Sequence, residues 1–164
     1  QDSMFRFWYR FIPDNLAAIN RGFTDLVYKK ISSQLTSFMG GVFEEICKQY
    51  LWELNRQEKA TVPFTDLGRW WGNDPKSKCE AEIDIIGTDG DKTALFGECK
   101  WTNRYVDTGV LETLAERSML FNYTNVYLYL FAKTGFTNGC IDMARELGNV
   151  ELVTFNEMME DNIT

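Results

Sequence analysis

Histidine is absent from the 164 residues. Its absence removes Ser-His-Asp and Cys-His catalysis, HExxH metalloprotease sites and histidine-based zinc sites from this chain. Any acid–base work falls to Asp, Glu, Lys, Tyr, Cys or metal-bound water. There is no GxxxxGK[ST] segment, so the chain does not itself cradle a nucleotide in a phosphate loop. The four cysteines, Cys47, Cys79, Cys99 and Cys140, form no CxxC pair. The opening Gln1-Asp2-Ser3-Met4 has no signal-peptide layout, so free thiols in a reducing cytosol are expected. The chain does not begin with Met and is expected to be part of something longer. No apolar run approaches the ~20 residues that span a bilayer. Basic clusters are scarce as well: the net charge is -7, and the nearest approaches are Lys29-Lys30, Lys76 with Lys78, and Lys100 with Arg104. Phosphate gripping draws on such clusters, which argues against a free-standing module that holds nucleic acid by charge alone.

What is present is a well-filled core: 45% hydrophobic residues and 15% aromatic, enough for one α/β domain with a short helical extension. Residues 1 to 38 read as helical, with a dense aromatic opening from Phe5 to Phe11. A second short helix, capped by Asp14, is expected to end near Gly22, and a third to run from Thr24 to Phe38. Gly40-Gly41 then opens a stronger helix whose Phe43, Ile46, Cys47, Tyr50, Leu51 and Leu54 share one face. At ~100° per residue, Glu44 lies on the flank of that face and Glu45 points nearly opposite, to solvent. Strands are expected over Val62–Gly72, Cys79–Gly87 and Lys92–Trp101, with turn signals at Asn73-Asp74-Pro75 and Thr88-Asp89-Gly90-Asp91. A helix over Val106–Phe121, a nearly all-apolar strand over Asn125–Ala132, a helix over 138–147, a strand over Glu151–Phe155 and a terminal helix follow. The β-α-β crossover argues for a mixed sheet with helices on both sides.

Two segments carry the chemistry: Glu82-Ile83-Asp84-Ile85-Ile86 and Phe96-Gly97-Glu98-Cys99-Lys100. Each places an acid inside a strand-like apolar run, where a carboxylate is costly to bury without a partner. Glu98 and Lys100 are two apart and project from one strand face, while Cys99 points to the other and reads as core. Asp84 and Glu98 suit a hard cation such as Mg²⁺ or Mn²⁺, which takes one or two carboxylates and keeps its waters. Lys100 suits charge developing on a phosphate, and Glu44 could hold a metal-bound water or a second ion. Taken alone, Glu98-x-Lys100 also fits a salt-bridged solvated strand face worth under ~1 kcal/mol. A simple turn at residues 88 to 91 places Asp84 opposite about Leu95, three residues short of Glu98. Convergence therefore requires a bulge or strong twist, which Gly97 permits.

The order of helix with Gly40-Gly41-Val42-Phe43-Glu44, strand with Ile83-Asp84, strand with Glu98-Cys99-Lys100, then helix and strand resembles the PD-(D/E)XK nuclease superfamily. More narrowly, the chain resembles the C-terminal domain of unknown function carried by archaeal-type AAA+ ATPases. The matching stretches are Phe7-Trp8-Tyr9-Arg10-Phe11, Gly41-Val42-Phe43-Glu44, Trp70-Trp71-Gly72, Glu82 to Ile86, Gly97 to Trp101 and Phe131 to Phe136. The resemblance implies a restriction-endonuclease-like core over residues 39–164 with an N-terminal helical extension over residues 1–38 packed on it. It implies cytoplasmic, metal-dependent hydrolysis of DNA phosphodiesters, with Asp84, Glu98 and Glu44 at the metal and Lys100 beside it. It further implies an N-terminal P-loop ATPase module outside this chain. The proline of the superfamily's name is missing before Asp84. The alternative is a non-catalytic interaction, regulatory or oligomerisation module of the same ATPase, and the acidic balance favours it.

Other features have two readings each. Trp70-Trp71 suits stacking of nucleobases or core packing. The aromatic opening suits docking of the ATPase module or of another copy, or burial on the sheet. Lys133 and Arg117 suit a phosphate contact or plain solvation. Glu157, Glu160 and Asp161 read as a solvated face.

Overall fold

A computed structural model describes residues 2–74, 78–90 and 92–161. Pro75 of the first expected turn, Lys76, Asp91 of the second turn and the side chain of Asp161 lie outside the described residues. The chain divides into two compact units, Gln1–Phe43 and Glu44–Thr164.

The first unit holds α1 (Ser3–Phe11), a 3-10 turn (Pro13–Asn15), α2 (Leu16–Asn20) and the first part of α3 (Thr24–Arg56). Asp2 caps α1 by accepting the Met4 N–H at 2.8 Å. The expected cap at Asp14 is not formed: Asp14 lies inside the 3-10 turn. The buried Asn15 ties this corner instead, donating to the Phe11 carbonyl at 2.8 Å and accepting from Lys30 at 2.9 Å. Phe11, Val27 and Ile31 form a small core with Phe7, Leu35 and Phe38 around them. The aromatic opening is therefore split. Phe7 and Phe11 turn inward, with ring centroids 5.3 Å apart, while Met4, Phe5, Trp8 and Tyr9 stay exposed. The two helices expected on either side of residue 39 are one continuous α3, which runs through Gly40-Gly41. Two glycines cost about 2 kcal/mol of helix propensity, less than a broken helix would lose in backbone hydrogen bonds and packing.

The second unit is a five-stranded mixed sheet flanked by helices, as expected. Its strands are β1 (Asp66–Asp74), β2 (Cys79–Thr88), β3 (Thr93–Lys100), β4 (Asn125–Ala132) and β5 (Val150–Thr154), in spatial order β1-β2-β3-β4-β5. The first three pair antiparallel, and β3–β4 and β4–β5 pair parallel. The crossovers are α4 (Thr108–Ser118) and α5 (Asn138–Leu147), and α6 (Phe155–Asp161) closes the described chain. Asp107 and Thr137 cap α4 and α5 through the N–H groups of Gly109 and Cys140. Gly148, at φ 72°, ends α5 in the left-handed conformation that glycine adopts without strain. Phe96, Leu128 and Leu130 of the sheet are buried against Leu111 and Leu114 of α4 and Cys140 and Ala144 of α5. Tyr50 of α3 meets Phe131 edge-on at 6.4 Å, so β4 is covered on both faces, as its apolar run implies.

β1 begins at Asp66 rather than at Val62. Val62 and Phe64 are buried outside the ladder. Asn55 of α3 takes both backbone groups of Phe64, donating to its carbonyl at 2.9 Å and accepting its N–H at 3.2 Å.

Leu114 is almost wholly buried between α4 and the sheet. Leu114→Ala is expected to lower the unfolding free energy by about 2–5 kcal/mol, with an unchanged denaturant m value, in urea titrations.

Candidate active site

The register of β2 on β3 corrects the expectation from the simple turn. Ile85 pairs with Gly97 and Thr88 with Ala94, so Asp84 falls level with Glu98 rather than near Leu95. The connection is longer than a turn at residues 88 to 91, because β3 pairs with β2 only from Ala94 onward. No bulge between β2 and β3 is needed. One is present on the other side of β2. There the partners step from Gly68↔Ile86 to Trp70↔Ile83, so Asp84 and Ile85 together face the single residue Arg69 of β1. Such an irregularity re-aims side chains and ends pairing locally.

The ladder stops where the acids begin. Beyond Ile85↔Gly97, the Cys99 N–H donates to the Asp84 carboxylate at 2.8 Å in place of a β2 carbonyl. Glu98 is buried, at 8% exposure, and one of its oxygens accepts from the Lys100 ammonium at 2.5 Å. Its other oxygen, Oε2, is buried with no hydrogen-bond partner, and the Arg117 guanidinium stands 4.0 Å away. Arg117 reaches in from α4 and donates to the Glu82 carbonyl at 2.7 Å. It is thus a half-buried part of the site rather than solvated surface. Arg69 pairs with the Glu82 carboxylate. A cavity of about 400 Å³ is bordered by Glu44, Arg69, Glu80, Glu82, Asp84, Glu98, Cys99, Lys100 and Arg117.

All four expected residues, Glu44, Asp84, Glu98 and Lys100, therefore border one cavity. Glu44 does so from α3, while Glu45 is 54% exposed and pairs with Lys48 at 3.5 Å, as the helix phase indicated. Burial pushes the Glu44 pKa up, and repulsion from Asp84 adds to it, against the pull of Arg69 and Lys48. Burial also pushes Glu98 up, again with Asp84 adding, while Lys100 and Arg117 pull it back. Asp84 is thus the charge that both other acids feel. Burial and the neighbouring Cys47 thiol hold Cys99 well above its ordinary value. A thiol so placed is a poor nucleophile, in keeping with a core role.

Arg69 is the residue that sequence reasoning missed, while Arg117, which by sequence suits a phosphate contact or plain solvation, stands beside Glu98. Each comes from an element distant in sequence from the acids, and only the bulge register and the seating of α4 bring them in. Lys133 is elsewhere: it donates to Asn103 at 2.6 Å and lies over the Trp101 ring at 4.9 Å.

A family model described as archaeal and bacterial proteins of unknown function, DUF234, matches residues 8–118. The chain belongs to this family. Every charged residue bordering the cavity lies within the stretch that defines DUF234. An uncharacterized protein of Methanocaldococcus jannaschii is 38% identical over 102 residues, which is 62% of this chain and 21% of that protein. The chain thus matches about a fifth of that relative's length. Among solved structures, a protein of unknown function, AF1548, is similar at 17% identity with a TM-score of 0.43, over 70% of this chain and 65% of its own. A repair endonuclease from Pyrococcus abyssi is similar at 17% identity with a TM-score of 0.40, over 68% of this chain and 45% of its own.

The donor set suits a hard divalent cation. Among the described residues no group of three or more Asp, Glu, His or Cys forms a ready-made cage. Mg²⁺ needs only one or two carboxylates, its other positions being water and phosphate oxygens. Glu98 Oε2, buried without a hydrogen-bond partner, fits such a position, because a buried carboxylate oxygen lacking a hydrogen bond costs more than about 1–3 kcal/mol.

The raised Glu98 pKa sets a sign. The folded state holds this proton more tightly than the unfolded chain does. Stability is therefore fullest below the ordinary value of 4.5 and is lost as pH rises through the folded value. Glu98→Gln cannot ionise, so it is expected to gain stability over the wild type as pH rises above 4.5 in urea titrations. Millimolar Mg²⁺ is expected to raise the thermal midpoint of the wild type but not of this variant. Parallel pH curves would remove Glu98 as the carrier of the penalty.

Proposed function

We propose that this domain is a PD-(D/E)XK-type nuclease module that hydrolyses DNA phosphodiester bonds with Mg²⁺ or Mn²⁺. The observation that carries the reading is the buried Glu98. One oxygen is bound to Lys100, and the other has no hydrogen-bond partner and stands 4.0 Å from the Arg117 guanidinium, in a cavity that Asp84 and Glu44 also border. Asp84 and Glu98 would hold the cation, which when bound supplies Lewis-acid polarisation of the phosphate and a more acidic water. The Asp84 carboxylate is held in place by the Cys99 N–H, leaving its other oxygen for a ligand.

Lys100 donates hydrogen bonds to the attacking water and to the phosphate oxygens as negative charge grows on them. Its link to Glu98 fixes the ammonium in position beforehand. Arg117, 4.0 Å from Glu98, adds positive charge on the α4 side. Glu44, which borders the same cavity from α3, would hold a metal-bound water or a second ion.

A second reading is favoured by one observation. The first unit exposes Met4, Phe5, Tyr9, Leu26 and Tyr28, each more than 60% accessible. A surface of this kind fits docking to a P-loop ATPase module of a longer AAA+ type protein, or to another copy of this chain. In that reading the domain is a cytoplasmic interaction or regulatory module of the ATPase, with the acid site kept but unused.

Cleavage of DNA by the full-length protein is expected to require Mg²⁺ or Mn²⁺. Lys100→Ala and Asp84→Asn are each expected to slow it by about 100-fold or more in a gel assay. Equal cleavage by the variants would put any activity elsewhere.

A further inference from the structure

Trp70 and Trp71 are adjacent and have opposite fates. Trp70 turns inward onto Phe121, with ring centroids 5.1 Å apart, and its indole lies over Gly72. A Cβ at Gly72 would stand 2.5 Å from that ring, so this seat needs glycine. Trp71 is 72% exposed. It stands on β1, an edge strand, which among the described residues has a strand neighbour on one side only. A bare indole in mid-strand is costly to hydrate and contributes nothing to the core. Arg69 is two residues before it and faces the Asp84–Ile85 bulge. Arg69, Trp70, Trp71 and Glu82 border an open cleft of about 570 Å³. Arg69 and Glu82 also border the acid cavity, so the two depressions share a wall.

We propose that this cleft holds an unpaired nucleobase stacked on Trp71, with Arg69 on the adjoining phosphate, so that the domain engages single-stranded nucleic acid. The occupant follows from charge and continuity. A chain of net charge -7 lacks the cation clusters that grip a duplex backbone. Stacking on an aromatic face is uncharged, and sequence-tolerant because every base has a π-face. A base inside a duplex already has its faces occupied, and exposing them costs unstacking energy. An exposed indole beside one arginine therefore selects bases that are already unpaired. Arg69 exchanges the Glu82 carboxylate for a phosphate on binding, and the next phosphate along the strand faces the acid cavity. The location of the scissile phosphate rests on the nuclease reading above; the stacking does not.

The test is fluorescence anisotropy of a labelled oligothymidine and of a blunt duplex of equal length, at low salt with chelator present. The full chain is compared with Trp71→Ala, Trp71→Phe and Arg69→Gln. The single strand is expected to bind more tightly than the duplex. Trp71→Ala is expected to weaken it about tenfold or more, Trp71→Phe to retain most of the affinity, and Arg69→Gln to weaken it and flatten its salt dependence. Trp71 is exposed, so unchanged thermal midpoints serve as the folding control. Equal binding by the Trp71→Ala variant, tighter binding of the duplex, or no binding at low salt would each overturn the proposal. Chelator keeps chemistry out of the readout. Trp71-dependent binding without metal-dependent cleavage would sink the hydrolysis reading and leave this one standing; cleavage without such binding would do the reverse.

Discussion

The polar end of the sheet depends on one hydrogen bond, from the Cys99 N–H to the Asp84 carboxylate. It stands where β2 and β3 part. A main-chain donor that loses its strand partner must find another acceptor or bear a desolvation cost. By supplying that acceptor from a side chain, Asp84 lets the ladder end at Ile85↔Gly97 without an orphaned N–H. The same bond brings a carboxylate up against β3, level with Glu98. The separation of the strands makes room for the cavity, and the bulge against Arg69 takes up the extra residue of β2.

Crowding acids in this way is unfavourable on its own. Asp84 raises the pKa of both Glu44 and Glu98, and burial raises them further. Three cations from three different elements temper the repulsion: Lys100 of β3, Arg117 of α4 and Arg69 of β1. The balance is left incomplete at Glu98 Oε2. In the proposed reading an added cation would complete this charge, and Lys100, Arg117 and Arg69 would meet the phosphate oxygens. The arrangement is poorly suited to gripping a duplex by charge. A single-stranded segment held partly by stacking would reconcile the acidic surface with a nucleic-acid substrate.

Most of the architecture was legible in the chain. The near-continuous apolar run of β4 and the amphipathic spacing of α4 and α5 are local signals, and their elements lie within a few residues of the expected limits. Glycine was the misleading signal. Gly40-Gly41 read as a helix boundary, but α3 runs through both residues. The β2–β3 offset was misread for a related reason. Turn chemistry at Thr88 to Asp91 suggests a tight loop, whereas register is set by which faces bury Ile83, Ile85 and Phe96 along the whole hairpin.

The sequence by itself determined the chemistry available. With no histidine and no phosphate loop, acid–base work was left to Asp, Glu, Lys, Tyr, Cys or metal-bound water, and helix phase selected Glu44 over Glu45. Strand alternation was enough to put Glu98 and Lys100 on one face and Cys99 on the other. Only the tertiary structure decided that Asp84 stands level with Glu98, that Arg69 and Arg117 join them, and that Trp70 is core while Trp71 is bare. Local periodicity states which side of its own element a residue occupies. Pairing across elements is set by the burial of the whole sheet, and no short stretch of chain encodes that.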